Sequence, residues 1–189
     1  MKESKFNSHV IKKLEKFPDN FVVGIAIPGA GYEATNINLL DFLINKKKLA
    51  GSYVSISKPH AYVINLLKTN GISHNNIHFI DCITKSLGEK STQAKKCVFV
   101  DSPAHLTDLS VAIHDFFKSS RNKNQFIYID SLSSLRLHNN LNSVLRFVHN
   151  ITGKMRIFGF SGLMLSLRED DDKRLMTELS QFCDEVIHK

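Results

Sequence analysis

Short apolar runs rich in branched side chains alternate along the chain with stretches in which apolar residues recur every three or four positions. The first pattern is that of buried strands and the second that of amphipathic helices. Residues 5–17 carry Val10, Ile11, Leu14 and Phe17 on one helical face, and Pro18-Asp19-Asn20 ends that helix. Phe21 to Ile27 reads as a strand, and residues 35–46 as a helix through Ile37, Leu40, Leu43 and Ile44. Gly51 to Ser57 is a second strand. Pro59 stops it and opens a helix through Val63, Leu66 and Leu67 that closes on Asn70-Gly71. Further strands are expected at 77–80, 97–100, 126–129, 157–160 and 185–187. Helices are expected at 107–119, 138–151 and 172–183.

Strands that alternate with helices imply an α/β fold, a mostly parallel sheet covered by helices on both faces in three layers. The expected organisation is an N-terminal helical segment, 1–20, followed by one domain over 21–189. Thr84 to Lys96, rich in lysine and serine, reads as a mobile loop. Glu169-Asp170-Asp171-Asp172 reads as a solvated helix start, where acids are favoured.

Composition narrows the class. The chain has 189 residues, 42% hydrophobic and 23% charged, which is ordinary for a globular protein. Its net charge, 25 − 18 = +7, permits an acidic or nucleic-acid partner without demanding one. Cys82, Cys97 and Cys183 have no metal-type spacing, and no apolar segment near Met1 suggests a leader or membrane span. The expectation is a cytoplasmic protein with reduced thiols.

The stretch "IPGAGYEATN", residues 28–37, lies between a strand and a helix, where many α/β proteins hold phosphate. It fits a dinucleotide fingerprint, Gly-x-Gly-x-x-Ala, as Gly29, Gly31 and Ala34. That reading needs an acid at the end of the second strand, but the strand ends Ser55-Ile56-Ser57-Lys58. Lys58 would there face the 2′-phosphate of NADP. The stretch also fits the frame of a P-loop, Gly-x4-Gly-Lys-Ser/Thr, over Gly29, Ala30, Gly31, Tyr32, Glu33, Ala34, Thr35 and Asn36. In that frame Ala34 replaces the second glycine, Thr35 the lysine and Asn36 the Mg²⁺ hydroxyl, and Glu33 adds negative charge.

Several phrases resemble the KaiC-like branch of the RecA superfamily of ATPases over roughly 21–189: the run Ala50 to Pro59, "KTNGI" at 68–72, "FIYIDSLSSL" at 126–135 and "FCDEVIHK" at 182–189. The resemblance implies a RecA-like P-loop fold. It implies that Asp130 matches the Walker B aspartate, which holds Mg²⁺ through water. The residue-level alternative is an aspartate capping a turn, with Ser131 and Ser133 bonding backbone. It places the family's catalytic glutamate pair on Ser57 and Lys58, so both glutamates are lost. It also implies side-by-side association with a paralogous RecA/KaiC-like subunit or with a second copy.

Without the P-loop lysine and both glutamates, no route to phosphoryl transfer is visible. The expected function is a catalytically inactive regulatory or assembly module that binds protein and needs no cofactor. Alternatives are a sensor that keeps weak Mg-ATP binding, a nucleic-acid-binding RecA-like subunit and an NADP-dependent Rossmann enzyme. His74 and His78, four apart, and Asp101, Ser102 and His105 were the other groupings with chemistry-bearing residues; turn and strand roles account for them more simply.

Overall fold

A computed structural model describes residues 2–89, 96–120, 124–167 and 173–188. Residues 90–95 of the expected loop, and the acidic stretch 169–172, lie outside the described residues. The sheet is formed by β1 (Val22–Ile27), β2 (Ala50–Ser55), β3 (Ile77–Asp81), β4 (Cys97–Phe99), β5 (Gln125–Asp130), β6 (Ser161–Leu167) and β7 (Glu185–Ile187). Its order is β4-β3-β2-β5-β6-β1-β7, and every pair is parallel. The three-layer α/β expectation is met.

Helices cover both faces because the central strands bury both sets of alternating side chains. On one face, Val23, Ile25, Ile27, Tyr53, Phe79 and Tyr128 pack with α1 (Lys2–Leu14), α2 (Tyr32–Asp41) and α3 (His60–Thr69). On the other, Val54, Ile80, Ile127, Ile129 and Met164 pack with α4 (Leu106–Ser119), α5 (Leu132–His138), α6 (Leu141–Phe158) and α7 (Lys173–Leu179). Phe6, Val10 and Leu14 tie α1 into the first of these cores. No helix among the described residues is long and apolar enough to cross a membrane.

Three elements differ from the sequence expectation. The helix expected from residue 35 starts at Tyr32, because Gly31 takes a left-handed backbone (φ 87°) that sets its beginning. It ends in a wide π turn, Phe42–Lys46, in which Lys47 N–H bonds Phe42 O (2.9 Å). The helix expected at 138–151 is α6, which starts at Leu141, and a short unexpected helix, α5, precedes it: Ser131 caps α5 and Asn140 caps α6 by accepting the N–H groups of Ser134 and Ser143. The strand expected at 157–160 is instead the end of α6. Ile157 is 82% exposed, and Gly159 (φ 72°) stops the helix while Phe160 N–H returns to Met155 O (2.8 Å). The strand follows at Ser161.

The order of strands decides what meets at the carboxyl edge. The chain leaves β1, crosses β6 and β5 through α2, and enters β2 beside β5. Tyr53 is in register with Tyr128, and Ser55 with Asp130. One strand further out, Asp81 ends β3 fully buried. It accepts the N–H groups of His60 (2.8 Å), Ile83 (2.9 Å) and Thr84 (2.9 Å) and the Thr84 hydroxyl (2.6 Å). Burial pushes its pKa up, but these donors outweigh burial and hold it below the ordinary 3.8.

Two consequences are measurable. A Cβ at Gly51 would run into the carbonyl oxygen and ring of Phe126, which are fixed in the core. Gly51→Ala is therefore expected to lower unfolding stability by about 1–3 kcal/mol or more, whereas Gly24→Ala, with ordinary contacts, is expected to be tolerated. Asp81 has a depressed pKa, so its contribution is present above the unfolded-state value and is lost as pH falls through the folded-state value. Asp81→Asn should cost about 1–3 kcal/mol at neutral pH, and the gap to wild type should close below about pH 4 in denaturant melts.

Candidate functional site

The site is built on the end of β5. Asp130 is 2% exposed, a carboxylate taken out of water that must find donors. It finds three. Asn36 Nδ2 donates to its Oδ2 at 2.7 Å, Tyr53 OH donates to the same oxygen, and Tyr32 OH donates to Oδ1. The donors come from α2 and β2. Asn36 is itself held at its other end, where Tyr128 OH donates to its Oδ1 (2.8 Å), so the polarity of the amide is set from both sides. The rings of Tyr53 and Tyr128 stack, with centroids 5.3 Å apart. Burial first, and then the charge of Asp130, pushes all three phenols well above their ordinary pKa of 10.0, which keeps them protonated as donors. The Asp130–Ser131 peptide is cis.

The residues of the glycine turn divide between this network and the surface. Asn36 is in it. Thr35, 3% exposed, donates instead to Asn7 Oδ1 of α1 at 2.6 Å. Ala34 is exposed on the outer face of α2. Gly31 needs its left-handed backbone, but Gly29 has an ordinary φ and open space for a side chain. Ala30, like Gly29, is exposed. Glu33 turns outward and accepts from Lys58 Nζ (3.1 Å) and Tyr62 OH (3.0 Å), and Lys58 lies over the Tyr62 ring, 5.2 Å from its centroid. Those bonds, from Lys58 above all, lower the pKa of Glu33. Ser57 is exposed beside Lys58. Ser131 caps α5, while Ser133 accepts the N–H of Leu167 (2.7 Å).

Tyr32, Tyr53 and Tyr128 were not singled out by sequence reasoning. The available signal was a tyrosine inside each of two strands buried on both faces, whose hydroxyl must have a partner. Their convergence depends on the β2–β5 register and on where α2 begins.

Elsewhere the chemistry is structural. Among the described residues, one trio could bring metal-type ligand atoms within 4.8 Å: His60, Asp81 and Cys97. Asp81 already serves four donors besides His60 Nδ1 (3.1 Å), and burial, then the Asp81 charge, pushes the Cys97 thiol up to about 12. A metal needs the thiolate. His74 is not part of any such group, and His78 stacks on Phe116. Ser102 Oγ accepts from Ala104 N–H (3.2 Å), a turn bond, while Asp101 pairs with Lys85 (2.8 Å).

The fold is shared with solved structures from Pyrococcus horikoshii. Uncharacterized protein PH0321, described in complex with an unknown peptide, is 14% identical with a TM-score of 0.64, over 95% of this chain and 81% of that one. PH0250 is 13% identical with a TM-score of 0.63, over 93% and 84%. A KaiC-like protein, PH0186, is 13% identical with a TM-score of 0.55, over 80% of this chain and 64% of its own length. At such identities the likeness is one of fold, and the fold is RecA-like. No curated protein matches the chain. A family model, described as a family of unknown function, matches residues 58–188, a span that includes Asp130 and begins after the glycine turn. The chain belongs to that family, DUF7504.

Proposed function

We propose that this protein is a RecA-like module that does not turn over ATP and acts by binding protein, either a paralogous RecA/KaiC-like subunit, a second copy or another partner. The observation that carries the reading is the state of Asp130. Where the family resemblance calls for a carboxylate free to hold Mg²⁺ through water, its oxygens receive Tyr32, Asn36 and Tyr53. An amide N–H₂ is a donor and cannot coordinate a cation. Asn36 at the position of the Mg²⁺ hydroxyl therefore takes the cation's place instead of helping to bind it. Thr35, at the position of the P-loop lysine, brings no charge and is engaged with α1. The residues present do not fit Mg-ATP.

The departures at the rim support the same reading. Lys58 stands where a catalytic glutamate is expected and Glu33 where phosphate is expected, and the two neutralise each other. A peptide-binding role also accords with the fold, since PH0321 is described with an unknown peptide bound.

Titration calorimetry against Mg-ATP and Mg-ADP, on protein stripped of nucleotide, tests the reading. The expected result is no binding tighter than about 1 mM, and no phosphate release above the buffer rate. Binding of Mg-ATP below about 100 μM would overturn it and make the protein a nucleotide sensor.

A further inference from the structure

Helices α1 and α2 lie side by side and leave an open groove of about 570 Å³. Lys12 of α1 and Lys46 of the π turn after α2 both line it, and both are exposed. Neither has an ion-pair partner among the described residues. Their sequence neighbours are different: Lys13 pairs with Glu185 and Lys47 approaches Asp19 at 4.0 Å. The lysines beside them are matched to acids, and those on the groove are not.

The rest of the lining suits a peptide. Ile11 gives an apolar contact on the α1 side. Asn7 uses its Oδ1 to accept from Thr35, which leaves its N–H₂ as a donor, and Asn38 donates to Ala34 O, which leaves its Oδ1 as an acceptor. Among the described residues, Glu15 is the one acid on the lining. Among the described residues no aromatic side chain lines the groove, so they offer no platform on which bases would stack. Two unmatched cations flanking an apolar contact and amide groups are complementary to carboxylates spaced along a chain.

We infer that the α1–α2 groove docks an acidic peptide segment of a protein partner, with Lys12 and Lys46 as its charge contacts. The inference rests on the protein-binding reading above and names the partner's chemistry.

Fluorescence anisotropy with the full chain tests it, using a labelled dodecapeptide that alternates glutamate with leucine and alanine, a lysine-rich counterpart and a labelled oligo-dT. The acidic peptide should bind at low salt and the basic one should not. The double variant Lys12→Glu/Lys46→Glu should weaken the acidic peptide about tenfold or more, and Glu15→Gln should strengthen it about twofold or more. Both variants alter exposed side chains, and circular dichroism with an unchanged unfolding midpoint establishes that they fold. Failure of the acidic peptide to bind, or equal affinity for wild type and double variant, overturns the inference. So does oligo-dT binding that is tighter than the peptide's and lost in the same variant, which marks a nucleic-acid surface. Mg-ATP binding in the same sample would remove the protein-binding reading while leaving the dependence on Lys12 and Lys46 to be read independently.

Discussion

The buried carboxylate of Asp130 is the constraint on which the carboxyl edge of the sheet depends. A charge so placed is stable only if its oxygens are bonded, and an unmet one would cost several kcal/mol. Tyr32 and Asn36 bring the first turns of α2 to it, and Tyr53 brings β2. Tyr128 fixes the far end of Asn36 from β5 itself. The same four side chains thus hold the first turns of α2 against the sheet and β2 against β5. A network of this kind is rigid when every member is satisfied.

Charge at the rim follows the same economy of pairing. Glu33 on α2 would repel a polyanion, and Lys58 beyond β2 would be an unmatched cation. Held 3.1 Å apart, they stabilise the surface modestly, as exposed pairs do, and cancel each other's field over the glycine turn. The site is thereby close to neutral outside and fully bonded inside. Two lysines without an ion pair among the described residues, Lys12 and Lys46, lie elsewhere, on the α1–α2 groove.

Much of the fold was legible in the sequence because it rests on local period. The branched runs at 21–27 and 126–129 and the apolar faces of α3 and α4 are read directly from spacing. Strand β6 was not, because "SGLMLSL" mixes glycine, serine and unbranched residues, and the branched Ile157 before it belongs to a helix end. Of the candidate site, Asp130 stood out as an acid ending an apolar strand, and Asn36 through its place in the P-loop frame. The tyrosines that complete it were hidden, since nothing local brings residues 32, 53 and 128 together. Thr35 found its partner in Asn7, on a helix that lies outside the stretch resembling KaiC-like proteins.

Three protein donors hold Asp130. Unfolding of Asp130→Asn beside wild type, each with and without millimolar Mg²⁺, tests this most directly. A carboxylate bonded by three donors predicts a loss of about 1–3 kcal/mol on substitution and no effect of Mg²⁺ on either protein. An Asp130→Asn variant as stable as wild type or more so, together with stabilisation of wild type alone by Mg²⁺, would contradict it and return Asp130 to the role of a metal-holding residue.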